Sequence, residues 1–569
     1  MCGIAGIVGA YKEIQLDEML KSQRHRGPDA TAKYFDAEFA GLGHNRLAII
    51  DLSEQSNQPF TDNSGRYVLV FNGEIYNYIE IKSELQNQYD FKTESDTEVL
   101  LAAFIVYGKS CLEKFNGMFA FAIWDNHNKI LFAARDRFGV KPFYYSQFNN
   151  AFYFSSEIKA LHAAGIIKQP NEKVWASYFA YGSYGMPHET FWSNVEQLPS
   201  GHFLEFENQK FTIKKWYYFE EEVAKQPKNL TFEQAKIRYI VLLKDSINLR
   251  FRADVPVGFN VSGGLDSSVL LTLVNLQDDN SKINAYTFYT NNSDYDELPW
   301  VERMIKHTQN PLTKVLLKAN EVPMLSEKIQ WQQDEPFGGI PTLAYAKIFE
   351  QARKDNVLVV LDGQGMDEQW AGYDYYIQDN DATIQGVQDS PYKIEMLSDS
   401  FLAKAEKPLY PKPFEDEVLN KQYRDLFYTK IPRALRFNDR ISMTFSTELR
   451  EPFLDYRLVE FAFSMPLDFK IKNGISKFIL REIASEYLAD DLIFAPKRPL
   501  QTPQREWLSD DLKDWVIQCF TELKSSVYSN WVNKESLDKE LKSYFEGNIQ
   551  SSFHIWQCIG LCETFKNNN

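Results

Sequence analysis

Cys2 directly follows the initiator Met. A small second residue predicts removal of Met1, which leaves Cys2 at the amino terminus. A free α-amine has a pKa of about 8, so it can act as general base for the thiol of its own residue. Thiolate is the nucleophile, and a nucleophile beside a base is how covalent catalysis is recognised. A second reactive stretch is Val255-Pro256-Val257-Gly258-Phe259-Asn260-Val261-Ser262-Gly263-Gly264-Leu265-Asp266-Ser267-Ser268. An apolar run ends in Ser-Gly-Gly, and after Ser268 the apolar residues Val269, Leu270, Leu271, Leu273 and Val274 take helical spacing. The order predicts strand, tight turn and helix start, with backbone N–H groups and a helix N-terminus converging on an anion site. Gly263 and Gly264 let the backbone approach a phosphate without a Cβ in the way. Asp266 adds a carboxylate where phosphates gather, which suits a Mg²⁺ between them. No Lys follows the second Gly, so this is not a Walker loop.

Taken alone, a buried inert thiol and an ordinary strand–helix turn are the simpler readings. The residues around them argue otherwise. Arg24-His25-Arg26-Gly27-Pro28-Asp29 is a polar turn, and Leu42 to Asp51 reads as a strand carrying Arg46. Tyr67–Phe71 is a β-run that stops at Asn72-Gly73-Glu74, and Ser95-Asp96-Thr97-Glu98 opens a helix with apolar residues at helical spacing behind it. Met118–Asp125 and Ile130–Asp136 read as a hairpin, as do Phe143–Ser146 and Phe152–Ser155. Residues 2–205 are therefore expected to form a β-rich domain. Residues 206–230 are polar and read as a linker or surface hairpin. From 231 to 569 strands and helices alternate, which predicts a parallel sheet with helices on both faces. Ligands of such sheets sit at the C-terminal strand ends, where Ser262–Ser268 and Asp362-Gly363-Gln364-Gly365-Met366-Asp367-Glu368 both fall. The latter lacks the third Gly, at 368, of a dinucleotide fingerprint.

The 569 residues exceed what one core serves. Hydrophobic content of 44% and charged content of 25% are those of a soluble globular protein. A net charge of −16 disfavours nucleic acid, whose phosphates need a basic face. Five Cys, odd in number and sparse, predict no disulfide framework and a reducing compartment. There is no signal peptide pattern, and no apolar run approaches the ~20 residues of a membrane helix. A cytoplasmic location, without a membrane partner, is expected.

Residues 2–200 resemble the glutaminase domain of class II glutamine amidotransferases, which are N-terminal-nucleophile hydrolases with layered antiparallel sheets and helices. The resemblance rests on Cys-Gly-Ile at 2–4, His-Arg-Gly-Pro-Asp at 25–29, Asn-Gly-Glu-Ile-Tyr-Asn at 72–77 and Ser-Asp-Thr-Glu at 95–98. It implies that Cys2 attacks the glutamine side-chain amide. The Asn72 side chain and Gly73 N–H would form the oxyanion hole, Arg46 would hold the α-carboxylate, and Glu74 and Asp96 the α-ammonium. The second half resembles the synthetase domain of glutamine-dependent asparagine synthetases, in the same domain order. Its loop at 262–268 resembles that of ATP pyrophosphatases, and Arg440-Ile441-Ser442-Met443, Glu451-Pro452-Phe453-Leu454-Asp455 and Ser476 to Arg481 add support. ATP and Mg²⁺ are the implied cofactors. Val261, Ser262, Gly263, Gly264, Asp266, Ser267, Ser268, Thr290, Asp362 and Gly363 would surround the nucleotide. Asp266 and Asp367 would hold Mg²⁺–pyrophosphate, and Lys477 would contact the phosphates. The scheme has a carboxylate attack the α-phosphorus to give an acyl-adenylate, which ammonia from Cys2 then aminolyses after crossing an internal passage.

Three departures concern the acceptor. Asparagine synthetases usually read Ser-Gly-Glu-Gly where Asp362 to Gly365 stands, so the Glu implicated at the adenylate step is Gln364, which cannot accept a proton. The segment 496–504 replaces a Lys-x-Gly-Phe-x-x-Pro pattern, and residues 374–430 match least. The expected function is glutamine- and ATP-dependent conversion of aspartate to asparagine. The alternatives are the same chemistry on a sugar acid of a surface polysaccharide or a peptide carboxylate, and a non-catalytic regulatory homologue. The assembly considered is a homodimer.

Overall fold

The structure, a computed structural model, describes residues 1–37, 39–276, 283–378, 390–494 and 501–566. The amino-terminal strands are β1 (Gly3–Gly9), β2 (Ala30–Asp36), β3 (Ala40–Arg46), β4 (Phe60–Thr61), β5 (Tyr67–Ile75), β6 (Gly117–Asp125), β7 (Ile130–Arg135), β8 (Tyr144–Phe148), β9 (Ala151–Ser155), β10 (Glu196–Gln197), β11 (His202–Glu207) and β12 (Lys210–Lys215). They form two six-stranded antiparallel sheets, ordered β10-β8-β9-β1-β3-β2 and β12-β11-β7-β6-β5-β4. Side chains alternate across each sheet. Ile4, Val8 and Leu42 of one sheet meet Val68, Val70, Ala120 and Trp124 of the other in a shared core. On the outer faces, Ala5 and Ile7 pack with Leu16 and Met19 of the helix Glu13–Ser22, and Leu69 and Phe71 with Val99 and Leu100 of the helix Asp96–Tyr107. Helix, sheet, sheet and helix stack in that order, which explains why these strands are apolar on both faces.

The carboxy-terminal strands are β13 (Val257–Asn260), β14 (Ala285–Tyr289), β15 (Leu312–Leu316), β16 (Val359–Leu361) and β17 (Glu448–Arg450). All four pairings are parallel, in the order β15-β14-β13-β16-β17. The chain builds outward from β13 in one direction and then from β16 in the other. The gap between their C-terminal ends is the switch point at which such sheets open a crevice.

Three readings of the sequence need adjustment. β5 does not stop at Asn72; it runs to Ile75, because β6 pairs with it through Asn72↔Ala120, Gly73↔Phe119 and Glu74↔Met118. β17 was not foreseen, since Glu448-Leu449-Arg450 carries two charges that β-patterning assigns to solvent. Both charges are fully buried and paired with each other (Arg450 Nε to Glu448 Oε1, 2.6 Å). Residues 206–230, read as a linker or surface hairpin, complete β11, form edge strand β12, and add the helix Phe219–Lys225, whose Phe219 is buried against Phe427 and Phe463. The aromatic contacts pin this stretch to the carboxy-terminal half.

The halves meet through buried charge. Arg26 Nη1 lies 2.9 Å from Glu157 Oε1 and 2.8 Å from Asp439 Oδ2, while Arg26 Nε donates to the Cys2 carbonyl at 2.9 Å. Arg440 Nη1 reaches the same Glu157 at 3.3 Å. Removing one member of such a network strands the others in low dielectric. Arg26→Ala is therefore expected to lower stability by about 3–5 kcal/mol, read as an earlier urea unfolding midpoint; a midpoint equal to wild type would show the network to be dispensable.

Candidate functional site

Cys2 immediately precedes β1. Its N–H donates to Asn72 Oδ1 at 2.9 Å, and its Sγ lies 3.9 Å from the Leu47 carbonyl. Burial pushes the thiol above its usual pKa, against the pull of the amino terminus, the Leu47 hydrogen bond and Arg46. A thiol held up by burial needs a base, the role expected of the α-amine. Met1 is buried ahead of it, with its ammonium 2.8 Å from Glu448 Oε2.

The groups expected around Cys2 are brought together. Asn72 Nδ2 is buried and has no acceptor among the described residues. Gly73 has φ of 155°, and a Cβ there would lie 2.1 Å from the Met118 carbonyl oxygen. Only glycine therefore brings this backbone N–H beside the spare Asn72 amide, and two adjacent donors are what an oxyanion needs. The Arg46 guanidinium is splayed over the Ser53 carbonyl (2.7 Å), Asn57 Oδ1 (2.9 Å) and the Asp51 carbonyl. Glu74 is buried, with Oε2 lacking a donor at hydrogen-bond distance among the described residues; Arg450 Nη2 stands 3.6 Å away. Asp96 caps the Ile75 N–H at 2.9 Å. Burial, then the nearby Glu448 and Asp96, raise Glu74 well above the ordinary carboxylate range. Burial holds Asp96 at about 6, although the Ile75 N–H opposes it. Glu448 goes the other way: burial disfavours its charge, but the amino terminus and Arg450 hold it at about 2. A buried, under-solvated acid pair facing an arginine is chemically suited to the ammonium and carboxylate of a free amino acid.

The second cluster lies at the β13–β16 switch point. Val261 is buried as the strand ends. Gly263 turns the chain with φ of 70°, and a Cβ there would stand 2.9 Å from Trp300 Cβ and the Val301 nitrogen. Gly264 precedes the helix Leu265–Asn275 and faces open space, with only Ser262 Oγ within 4 Å of a would-be Cβ. The first glycine is required by the turn, and the second leaves room at the helix N-terminus. Ser262 and Ser267 hydroxyls lie 3.2 Å apart, and Ser268 Oγ is buried without a partner among the described residues. Thr290 donates from both N and Oγ1 to Asp296 Oδ1 at 2.6 and 2.8 Å. Asp362 accepts from the Tyr345 hydroxyl (2.8 Å), Asn260 Nδ2 (3.3 Å) and the Gly363 N–H (2.7 Å). A Cβ on Gly363 would lie 3.5 Å from the Ser267 nitrogen, so the two loops are in contact. Gln364 is half-buried in the second loop.

Lys477 ties the loops together. Its Nζ lies 2.7 and 2.5 Å from the two Asp266 oxygens and 2.7 Å from Asp367 Oδ1. Burial disfavours its charge, but Asp266 and Asp367 together raise its pKa. Its backbone is left-handed (φ 54°), a strained state for a non-glycine residue that surrounding contacts must enforce. A Cβ on Gly372 would strike Asp367 Oδ1 at 1.8 Å, so glycine is required where that turn crosses the triad. Two carboxylates supply hard oxygen donors, and no group of three metal-ligating acids, His or Cys occurs among the described residues. This fits Mg²⁺, which takes one or two carboxylates and fills its octahedron with phosphate oxygens and water. Gln501 shares a pocket with Asn260, Ser262 and Asp296. Residues 495–500 lie outside the described residues, and with them most of the divergent 496–504 segment.

Sequence reasoning assigned no role to Arg26, Glu448 or Arg450, which bind the amino-terminal site to the second half. The signal available was position: Arg26 sits inside His-Arg-Gly-Pro-Asp, and Glu448 and Arg450 immediately precede Glu451-Pro452-Phe453.

Residues 1–217 match the glutamine amidotransferase domain family, and residues 239–565 match the asparagine synthase family. The chain is similar to Asparagine synthetase (glutamine-hydrolyzing) 3 of Bacillus subtilis (strain 168), 30% identical with 98% of this chain and 95% of the relative covered. It is 29% identical to Asparagine synthetase (glutamine-hydrolyzing) 1 of the same organism, over 98% and 95%. It is 27% identical to Amidase chry2 of Gibberella zeae, over 92% of each chain.

Proposed function

The chain belongs to the asparagine synthase family, and we propose from that premise that it converts aspartate to asparagine with nitrogen drawn from glutamine. Its class is that of an ATP-using carbon–nitrogen ligase with glutamine as amide donor. What supports the full reading is the coexistence on one chain of an equipped nucleophile, Cys2 beside Asn72 and Gly73, and an ion triad, Asp266–Lys477–Asp367, at the switch point.

In the first half-reaction Cys2 Sγ attacks the glutamine amide carbon, with Asn72 Nδ2 and the Gly73 N–H receiving the developing oxyanion. Arg46 holds the α-carboxylate, and Glu74 and Asp96 the α-ammonium. In the second, the helix N-terminus behind Gly264 and the hydroxyls of Ser262, Ser267 and Ser268 orient the phosphates of ATP. Asp266 and Asp367 would hold Mg²⁺, which would supply positive charge for the departing pyrophosphate. Lys477, fixed by both acids, contributes a further positive charge there. Val261, Thr290, Asp362 and Gly363 wall the nucleotide. Ammonia crosses between the halves to the adenylate.

An acceptor other than aspartate is favoured by one observation, the neutral Gln364 at the adenylate loop, alongside the amidase-named relative. A pyrophosphate-release screen across carboxylates, with ATP, Mg²⁺ and glutamine present, separates the two. Aspartate-dependent release supports asparagine synthesis. Release driven by a sugar acid or peptide instead moves the assignment to that acceptor.

The acid pair at the first site gives a pH signature. Asp96, at about 6, must be ionised to hold an ammonium. Below pH 6 the protonated form accumulates in the free enzyme, so kcat/KM for glutamine should fall by about tenfold per unit. Ammonia-driven synthesis, corrected for free ammonia, should not share this Asp96 limb. A kcat/KM for glutamine flat between pH 5 and 7 would remove Asp96 from the role.

A further inference from the structure

Position 364 carries an amide where asparagine synthetases usually carry the acid of the adenylate step, so the proton released when ammonia becomes an amide has no acceptor there. The neighbouring strand supplies one. β16 and β17 are adjacent and parallel in the register Leu361↔Arg450, and the Asp362 N–H donates to the Arg450 carbonyl at 3.0 Å. Glu451 thus follows the last residue of β17 as Asp362 follows the last of β16, one strand from the loop that holds Gln364. Its side chain is 5% exposed, and no hydrogen bond or ion pair to its carboxylate occurs among the described residues. It lines a narrow cavity walled by both halves, with Tyr76, Met118 and Val140 on one side and Arg250 and Leu454 on the other. A buried carboxyl without a partner is destabilising unless it serves something that enters its cavity.

We propose that Glu451 is the proton acceptor of the amide-forming step, standing at the synthetase end of the passage from Cys2 and replacing the acid absent at 364. The nitrogen of ammonia bonds to the acyl carbon of the adenylate. The adduct nitrogen gives one proton to the Glu451 carboxylate, the bond from that carbon to the AMP oxygen breaks, and AMP leaves with the electron pair. Glu451 then returns its proton to water. The charged and titratable groups facing it are Lys141, Asp362, Arg250, Asp439 and Tyr345, with Asp136, Arg137, Tyr76 and Tyr456 also on the cavity wall. Asp136 is engaged by the N–H groups of Phe119, Phe138, Val140 and Lys141. Burial raises Glu451 to about 8, with Lys141 opposing and Asp362 adding, which matches a base working near neutrality.

The inference rests on the amidotransferase reading of the second site, so the test separates them. In the full-length chain, Glu451→Gln is compared with wild type for glutamine hydrolysis, acceptor-dependent pyrophosphate–ATP exchange and amide formation from ammonia. Hydrolysis and exchange should stay within about threefold. The kcat for amide should fall by about 10²–10⁴-fold with little change in acceptor KM, and the alkaline-rising pH limb that persists after correction for free ammonia should vanish. Gln364→Glu in the Glu451→Gln background should recover part of the rate. Wild-type amide formation and an unchanged pH profile in Glu451→Gln would overturn the assignment, as would equal loss of exchange and amide, which marks a structural role. Absence of exchange in the wild type with every carboxylate would overturn both the assignment and the reading beneath it.

Discussion

Replacing Cys2 by Ala should abolish glutamine-driven amide synthesis while leaving the ammonia-driven reaction within about threefold of wild type. Removal of a covalent nucleophile from an otherwise intact site costs about 10⁴-fold or more, so the glutamine reaction should fall below detection. The ammonia reaction should survive because, among the described residues, none of the second site is hydrogen-bonded to Cys2. Cys2 contacts Asn72, Leu47 and Arg26, all in the amino-terminal half, whereas the triad draws on Asp266, Asp367 and Lys477. The substitution also retains the backbone bonds that seat β1, the Cys2 N–H on Asn72 and its carbonyl on Arg26, so the fold has no reason to move. Assays run in parallel with glutamine and with ammonium chloride decide it. Glutamine-driven synthesis persisting in the Ala variant would refute the nucleophile. Loss of both reactions would show that Cys2 also supports the join between the halves.

The two sites differed in how openly the sequence declared them. Ser262–Ser268 was legible because its geometry is local: a turn, two glycines and a helix start are consecutive in the chain, and backbone rules read them directly. Asn72-Gly73-Glu74 was legible as a motif, but its strand was read as ending early. Pairing of Gly73 with Phe119 depends on β6, more than forty positions downstream, and local propensity contains no information about it. β17 was illegible for the same reason in stronger form. Glu448 and Arg450 look solvent-facing until the buried amino terminus and Glu74 are placed beside them. Their pairing is a property of the assembled halves. Arg26 and Asp439, joined at 2.8 Å across the interface, show how far apart in the chain such partners lie.

The donor chemistry and the nucleotide loop use groups that are consecutive or motif-bound. The proposed acceptor chemistry would draw on residues from several strand ends: Gln364 after β16, Glu451 after β17 and Gln501 beside β13. No single stretch of sequence holds that constellation, so the acid missing from one strand can be sought on its neighbour only once the register is known.

Asp266→Asn should remove adenylation and leave glutamine hydrolysis within about twofold of wild type. The substitution keeps size and one oxygen but deletes a charge. Lys477 loses one of two anions that stabilise its buried ammonium, and a Mg²⁺ held as proposed would lose one of its two carboxylates. Loss of one preorganised electrostatic contact at a reacting centre costs about 10²–10³-fold, and here two act through the same residue, so acceptor-dependent pyrophosphate release should drop by at least that factor. Raising Mg²⁺ should recover little, because the missing charge also positioned Lys477. Asp367→Asn should act in the same direction. The contrast with Glu451→Gln is diagnostic: the Asp266 variant loses pyrophosphate–ATP exchange and amide together, whereas the Glu451 variant keeps exchange and loses amide. Wild-type exchange in Asp266→Asn would mean that the triad is a structural clasp between the two loops, with the phosphates held by the helix N-terminus and the serine hydroxyls alone.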